Sequence, residues 1–474
     1  MQVSLLNNEQ ILKIHTVSLN VLEDVGVDVP HGEMLELFAG AGASVDFDKK
    51  HVKIPAALVE KSLESAGKKF TLYGRDLNKT AKFGYGTKNF NSSSGQALWF
   101  DNIGGERRYA TLRDVREATL VADALKEINI AGAMADPCDV NVNWRCVEVF
   151  AEMVKNTVKP VAFWLHDRAS AKYVVDIAIA IRGDKKTAEE YPINYMIFDP
   201  ISPLRFPFNG IDYLFETARI NIPVSVCPMV QMGISGPGTI AATLIQENAE
   251  VLAGICITQL IRPGMPVYYG GICHAFDMAN TQINFAGPEQ AILGTAMTQM
   301  GKYYGLPVYI NVGLIDSKCV DAQAGLEAGV TLAFGMAAGA DIFGHFGICG
   351  ADQGASLDVL IFQDESISYL NSVMREIDFS DEMLGFDEMK EVGPGGTYLD
   401  RMFTAEHFRN ELWFPELLDR SYYQSWVDGG RTDMQERCRL RKEELIASHK
   451  PEPVSDTLAK ELNEIVRDAK KELG

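Results

Sequence analysis

The chain has 474 residues, 47% of them hydrophobic and 23% charged, with a formal net charge of −20; this is the composition of a folded protein with a large core. The acidic balance excludes nucleic acid as a partner, because neutralising phosphates needs a basic face, and it argues against adhesion to an anionic membrane surface. No apolar run approaches the roughly 18 residues of a membrane-crossing helix, no basic-then-apolar leader opens the sequence, and eight scattered cysteines without a Cys-x-x-Cys pair read as reduced thiols of a cytoplasmic protein.

Residues 1–85 read as an N-terminal α+β cap. Apolar residues at helical spacing (Ile11, Ile14, Val17, Val21, Leu22, Val25) predict a helix from Glu9 to Val25. Short strands follow around 43–46 and 51–54. A second helix runs from about Ala56 to Ser65 with Pro55 at its start, and Phe70 to Asp76 ends the cap.

From Asn89 the chain alternates short apolar runs with longer helical patterns. Eight runs read as strands: 89–93, 128–134, 160–166, 194–199, 222–227, 266–271, the run from Pro307 that ends in Asp316-Ser317-Lys318, and 340–345. Helical patterns cover 114–125, 144–156, 170–182, 210–220, 239–261, 290–304 and 327–338. Alternating units of this kind predict a (β/α)8 TIM barrel over residues 86–375. A doubly wound open sheet is the rival, but its Gly-rich phosphate turn is absent after the first strand. Residues 376–474 read as a helical C-terminal extension with a solvated last helix from Pro453.

In such a barrel the chemistry sits at the C-terminal ends of the strands. Those ends hold Ser93, Asp136, Trp164, His166, Asp199, Met229, Gln231, His274, Phe276, Asp316, Lys318, His345 and Phe346. Of these, His345, Asp316 and Lys318 are expected to act on the substrate, with His345 and Lys318 as donors to a substrate carboxylate. Trp164, His166, Phe198, Gln231, His274, Phe276 and Phe346 are expected to bind it. The many aromatic faces suit a quaternary ammonium, although single rings at such positions more often fill a barrel core. No His, Asp or Glu cluster has metal-ligand spacing, so no metal site is expected.

Several motifs carry a family resemblance. Leu22 to Val27 with Phe70 to Asp76, Ile201-Ser202-Pro203-Leu204, Asn248 to Ile255, Asp316-Ser317-Lys318 with Asp321 and Gln323-Ala324-Gly325, and Gly393-Pro394-Gly395-Gly396 together resemble the trimethylamine methyltransferase superfamily. The resemblance implies a (β/α)8 barrel that demethylates a methylated amine. It further implies that the methyl group passes to Co(I) of a corrinoid (cobalamin) carried on a separate, cognate protein. Archaeal trimethylamine members carry pyrrolysine near the segment matching Asp316 to Gly325. This sequence has only standard residues there, which moves the expected substrate to a quaternary amine, with glycine betaine first and proline betaine or carnitine next.

The chemistry agrees. A quaternary nitrogen departs as a neutral tertiary amine and needs positioning and desolvation rather than a strong acid. Two other readings stay open: a barrel that binds a quaternary amine without reacting it, and a Lys318 Schiff-base lyase or isomerase. A homo-oligomer is expected, as for many large barrels.

Overall fold

The computed structural model describes residues 2–474. Eight parallel strands form its centre: β1 (Asn89–Ser92), β2 (Ala131–Gly132), β3 (Val161–Ala162), β4 (Met196–Phe198), β5 (Val224–Val226), β6 (Val267–Gly271), β7 (Val308–Asn311) and β8 (Ile342–Phe346). Each is followed by a helix: α1 (Leu112–Ala124), α2 (Arg145–Asn156), α3 (Arg168–Arg182), α4 (Phe208–Thr217), α5 (Ile240–Ile261), α6 (Pro288–Tyr303), α7 (Ala322–Ala338) and α8 (Leu357–Val373). Strands β4-β5-β6-β7-β8-β1 make one curled parallel sheet, and β2 pairs with β3. Single parallel bridges, Asn91 to Ile130 and Val161 to Asn194, tie that pair to the two edges of the sheet.

Period-two alternation divides the strands between two apolar layers. Ile130, Ala162, Tyr195, Ile197, Cys227, Tyr268, Tyr309 and Ile342 pack together on the concave face. Their neighbours Met196, Phe198, Val224, Val226, Val267, Tyr269, Val308, Ile310 and Phe343 pack against the helices. An antiparallel hairpin, Phe70–Tyr73 with Thr80–Phe83, inserts Phe70, Leu72, Ala81 and Phe83 into the concave cluster. Phe70 and Phe83 stack at 4.6 Å, and Phe83 stacks on Tyr268 at 5.6 Å. The backbone of this segment bonds to residues just before the strands, such as Tyr73 to Pro192 and Gly67 to Met265. The hairpin therefore plugs the N-terminal end of the curled sheet, and the chemistry is left to the other end.

Several expectations change. Strand β7 stops at Asn311, so Asp316-Ser317-Lys318 lies in the following loop rather than at the strand end. Helices Gly32–Gly40 and α8 escaped the pattern reading. Helix α5, at 22 residues, is long and apolar enough to cross a membrane, contrary to the reading that no run reaches that length. It is a core helix that carries the buried Glu247 and Glu250. The last helix, Asp456–Leu473, is not solvated all round. It buries Leu462 and Ala469, and Lys470 and Asn143 tie it to the α2 region at 2.8 and 3.0 Å. Between these parts, the helices Phe386–Val392, Met402–Glu411 and Tyr423–Asp428 bury no side chain.

Candidate functional site

A cavity of about 360 Å³ opens at the C-terminal ends of the strands. Two small sheets flank it. Ile348–Cys349, Gly354–Ala355, Leu98–Phe100 and Arg107–Tyr109 join the loops after β8 and β1, while Gln231–Met232, His274–Asp277 and Gln282–Asn284 join those after β5 and β6. The cavity wall runs from Ser93 and Gln96 after β1 to Trp164 after β3, and then to Ile197 and Asp199 at β4. It continues through Met229, Ile272 and Phe285 to Asn311 at the end of β7, His345 in β8, and Ile348 and Asp352 beyond it.

Two aromatic faces are fixed by their surroundings. The Trp164 Nε1–H donates to the Gly95 carbonyl at 3.0 Å. A Cβ on Gly95 would lie 2.8 Å from Trp164 Cδ1, so the indole needs a glycine there. Phe285 stacks on His274 at 4.4 Å with an interplanar angle of 8°. His345 lies between Trp164, at 6.3 Å, and the edge-on ring of Tyr309, at 5.5 Å. Burial pushes its imidazole down to about 4, so at neutral pH the ring is uncharged and has one donor and one acceptor nitrogen.

The polar groups are mainly acceptors. Burial pushes the Asp199 carboxyl up to about 7, and its Oδ1 is buried without a partner. Burial also pushes Asp352 up to about 6; its Oδ1 accepts from Gln96 Nε2 at 2.7 Å. Asn311, 1% exposed, has its Oδ1 unpartnered as well. Among the described residues that line the cavity, none is Lys or Arg.

Buried carboxylates behind the wall hold its loops. Glu247 of α5 accepts from the backbone N–H of Val230 at 3.1 Å and of Ile272 at 2.9 Å. Glu250, one turn on, accepts from the Ser202 hydroxyl at 2.6 Å and the Leu204 N–H at 2.9 Å. Two of the sequence motifs are thus bonded to each other. Burial raises both glutamate carboxyls. Asp316 accepts from the N–H groups of Phe285 and Ala286 at 3.2 and 3.1 Å. Its own N–H donates to Glu327 at 2.8 Å, and Asp321 caps α7 through the Ala324 N–H at 3.0 Å.

Of the residues expected at the site, the fold brings Trp164 and His345 together in the wall. His166 is half-buried two residues beyond Trp164, and burial lowers its pKa. His274 lies behind Phe285, fully buried, with neither ring nitrogen bonded and its pKa pushed down to about 3. Gln231 and Phe276 are half-buried in the flanking sheet. Asp316 supports the wall from outside it. Three expectations are corrected. Phe198 faces the helices and stacks on Phe206 at 5.4 Å, because its neighbour Ile197 takes the inward position. Phe346 packs in the outer layer, where a Cβ on Gly313 would come within 2.8 Å of its ring. Lys318 is exposed and off the cavity wall, because the strand that was to deliver it ends seven residues earlier. Sequence reasoning did not find Gln96, Phe285, Asn311 or Asp352. Only Asn311 left a signal, as a lone polar residue inside the apolar run Val308 to Ile315.

The family model described as Trimethylamine methyltransferase (MTTB) matches residues 1–474. The glycine betaine methyltransferase of Desulfitobacterium hafniense (strain Y51) is 30% identical over 473 residues, covering 99% of this chain and 98% of that protein. Trimethylamine methyltransferase MttB of Desulfitobacterium hafniense (strain DSM 10664 / DCB-2) is 30% identical over 471 residues, covering 99% and 94%. Trimethylamine methyltransferase MttB of Methanosarcina thermophila is 28% identical over 478 residues, covering 97% and 96%.

Proposed function

The chain belongs to the trimethylamine methyltransferase (MTTB) family, a methyltransferase acting on methylated amines, and on that premise we propose that it moves a methyl group from a quaternary amine to Co(I) of a corrinoid carried on a separate cognate protein. In this reading the eight linked strands form a closed (β/α)8 barrel, and its C-terminal rim carries the reaction. The corrinoid is the methyl acceptor and arrives with its own protein.

One observation carries the choice of amine: the cavity wall combines the rings of Trp164 and Phe285 with two carboxylates and no Lys or Arg. Aromatic faces and carboxylates attract a fixed positive charge that has no N–H to donate. The methyl carbon is taken in line, and the nitrogen keeps the electron pair of the broken C–N bond. A quaternary nitrogen therefore leaves as a neutral tertiary amine and needs no proton. The chain's contribution is to desolvate and orient the cation so that one methyl points at the open mouth. The 474 standard residues contain no special electrophile to activate a neutral amine, which fits a substrate that is activated already.

On likeness glycine betaine comes first; proline betaine and carnitine, which also join a quaternary nitrogen to a carboxylate, come next. The test mixes the purified chain with its corrinoid protein, reduced to Co(I), and each amine in turn, and follows the loss of Co(I) absorbance. Methyl transfer from a quaternary amine is expected. Transfer from trimethylamine alone returns the substrate to the tertiary class, and tight binding without transfer makes the chain a binding protein.

A further inference from the structure

Resting on the quaternary-amine reading of this cavity, we infer that its substrate is a quaternary ammonium cation whose remaining substituent carries no negative charge, and that the site discriminates against betaines.

A betaine brings a carboxylate into the cavity with its ammonium, and a carboxylate calls for a cation or several free donors. The wall has no Lys or Arg among its described residues. Lys318, the cation expected to meet it, is exposed and not part of the wall. The nearby Arg145 is bound to Asp136 at 2.8 Å and to the Val140 carbonyl. Trp164 is bonded to Gly95, Gln96 to Asp352 and His345 to Tyr309, which leaves the Ser93 hydroxyl and the Asn311 amide as the neutral donors on the wall. Two buried acceptors, Asp199 Oδ1 and Asn311 Oδ1, also have no partner.

The carboxylates also come from separate parts of the fold, Asp199 from the end of β4 and Asp352 from the loop after β8. When ionised, both attract a cation, and an attached carboxylate finds no Lys or Arg on the wall to offset their repulsion. Like charges confined in a low-dielectric cavity are a strong device against the wrong ligand. A cation with a neutral tail meets no such opposition, and its tail can donate to Asn311 if it carries a hydroxyl.

Choline and glycine betaine make the comparison direct, because they share the trimethylammonium head and differ at one terminal group. Calorimetry on the full chain is expected to give choline a Kd at least about tenfold lower than glycine betaine. Asp199→Asn and Asp352→Asn are each expected to weaken choline binding severalfold and leave glycine betaine unchanged or tighter. If either variant melts early, Asp352→Glu provides the check, because it keeps the charge and is expected to keep the preference. Equal affinities, or a preference for glycine betaine, overturn the inference and leave the quaternary-amine reading standing. If neither ligand binds and only trimethylamine supports methyl transfer, both readings fall together.

Discussion

The Tyr309 phenol meets the His345 imidazole at 2.9 Å inside the curled sheet. The contact is possible because the residue before His345 is Gly344, where a Cβ would lie 2.7 Å from the phenol oxygen. Tyr309 also touches Tyr268, and Tyr268 touches Phe83, so a column of rings supports His345 from below.

Removing that support tests whether the ring is held for a purpose. Tyr309→Phe keeps the packing and deletes one hydrogen bond, at a cost of about 1–2 kcal/mol in stability. It should lower kcat/KM severalfold. His345→Ala should weaken amine binding about tenfold, and unchanged affinity by calorimetry would remove His345 from the site.

Binding should depend on pH through the two wall carboxyls, which burial holds at about 7 for Asp199 and about 6 for Asp352. Only their ionised forms attract a cation, so affinity for a quaternary ammonium should rise from about pH 5 to about pH 8 and then level off. The stability of the empty protein should run the other way. A carboxyl whose folded pKa exceeds its unfolded value, near 4, stabilises the fold at low pH and loses that contribution as the pH rises through the folded value. Asp199→Asn should therefore melt above wild type near pH 8 and converge with it near pH 4. Melting curves whose separation does not change with pH would refute this.

A cation over an aromatic face is worth about 0.5–2 kcal/mol. Trp164→Phe keeps a ring and should lose about threefold in affinity, whereas Trp164→Leu should lose about tenfold or more. Equal losses in the two variants would mean that the indole serves only to fill space.

Asp316 and Lys318 lie two residues apart and should respond differently. Asp316→Ala strands the Phe285 and Ala286 N–H groups, which should cost about 1–3 kcal/mol in stability and raise KM as the Phe285 wall loosens. Lys318→Ala should leave melting temperature, KM and kcat as they are. Any large loss in the lysine variant would restore it to the chemistry.

The glutamates of α5 should act on the site from a distance. Glu247→Ala leaves the Val230 and Ile272 N–H groups without their acceptor, and should cost about 2–4 kcal/mol and most of the activity. Glu247→Gln keeps an acceptor oxygen and should recover much of both.

The strands were legible because each is a short apolar run followed by a helical period, and the order of the units followed from that. Which side chain of a run faces inward was not. A strand buried on both faces is apolar at every position, so nothing in Met196-Ile197-Phe198 says that Ile197 faces inward and Phe198 outward. The end of β7 was misplaced for a related reason: Val312, Leu314 and Ile315 continue the apolar run past the last ladder bond, because the loop that follows is itself buried. Gln96 and Asp352 lie in loops, where no periodicity exists, and they meet only because the small flanking sheet brings the loop after β8 against the one after β1. The shared motifs were readable as a set, but their task, a glutamate holding a serine 48 residues away, required coordinates.

The hairpin at Phe70–Tyr73 and Thr80–Phe83 changes how this chain can be cut. Phe70 and Phe83 belong to the same apolar cluster as Tyr195, Tyr268 and Tyr309, so a truncated chain starting near residue 86 would have a flooded floor beneath Tyr268. Such a fragment should be recovered insoluble, and adding back the first 85 residues as a separate peptide should rescue it. Synthesis runs in the helpful direction: the stopper leaves the ribosome before any of the staves it must hold.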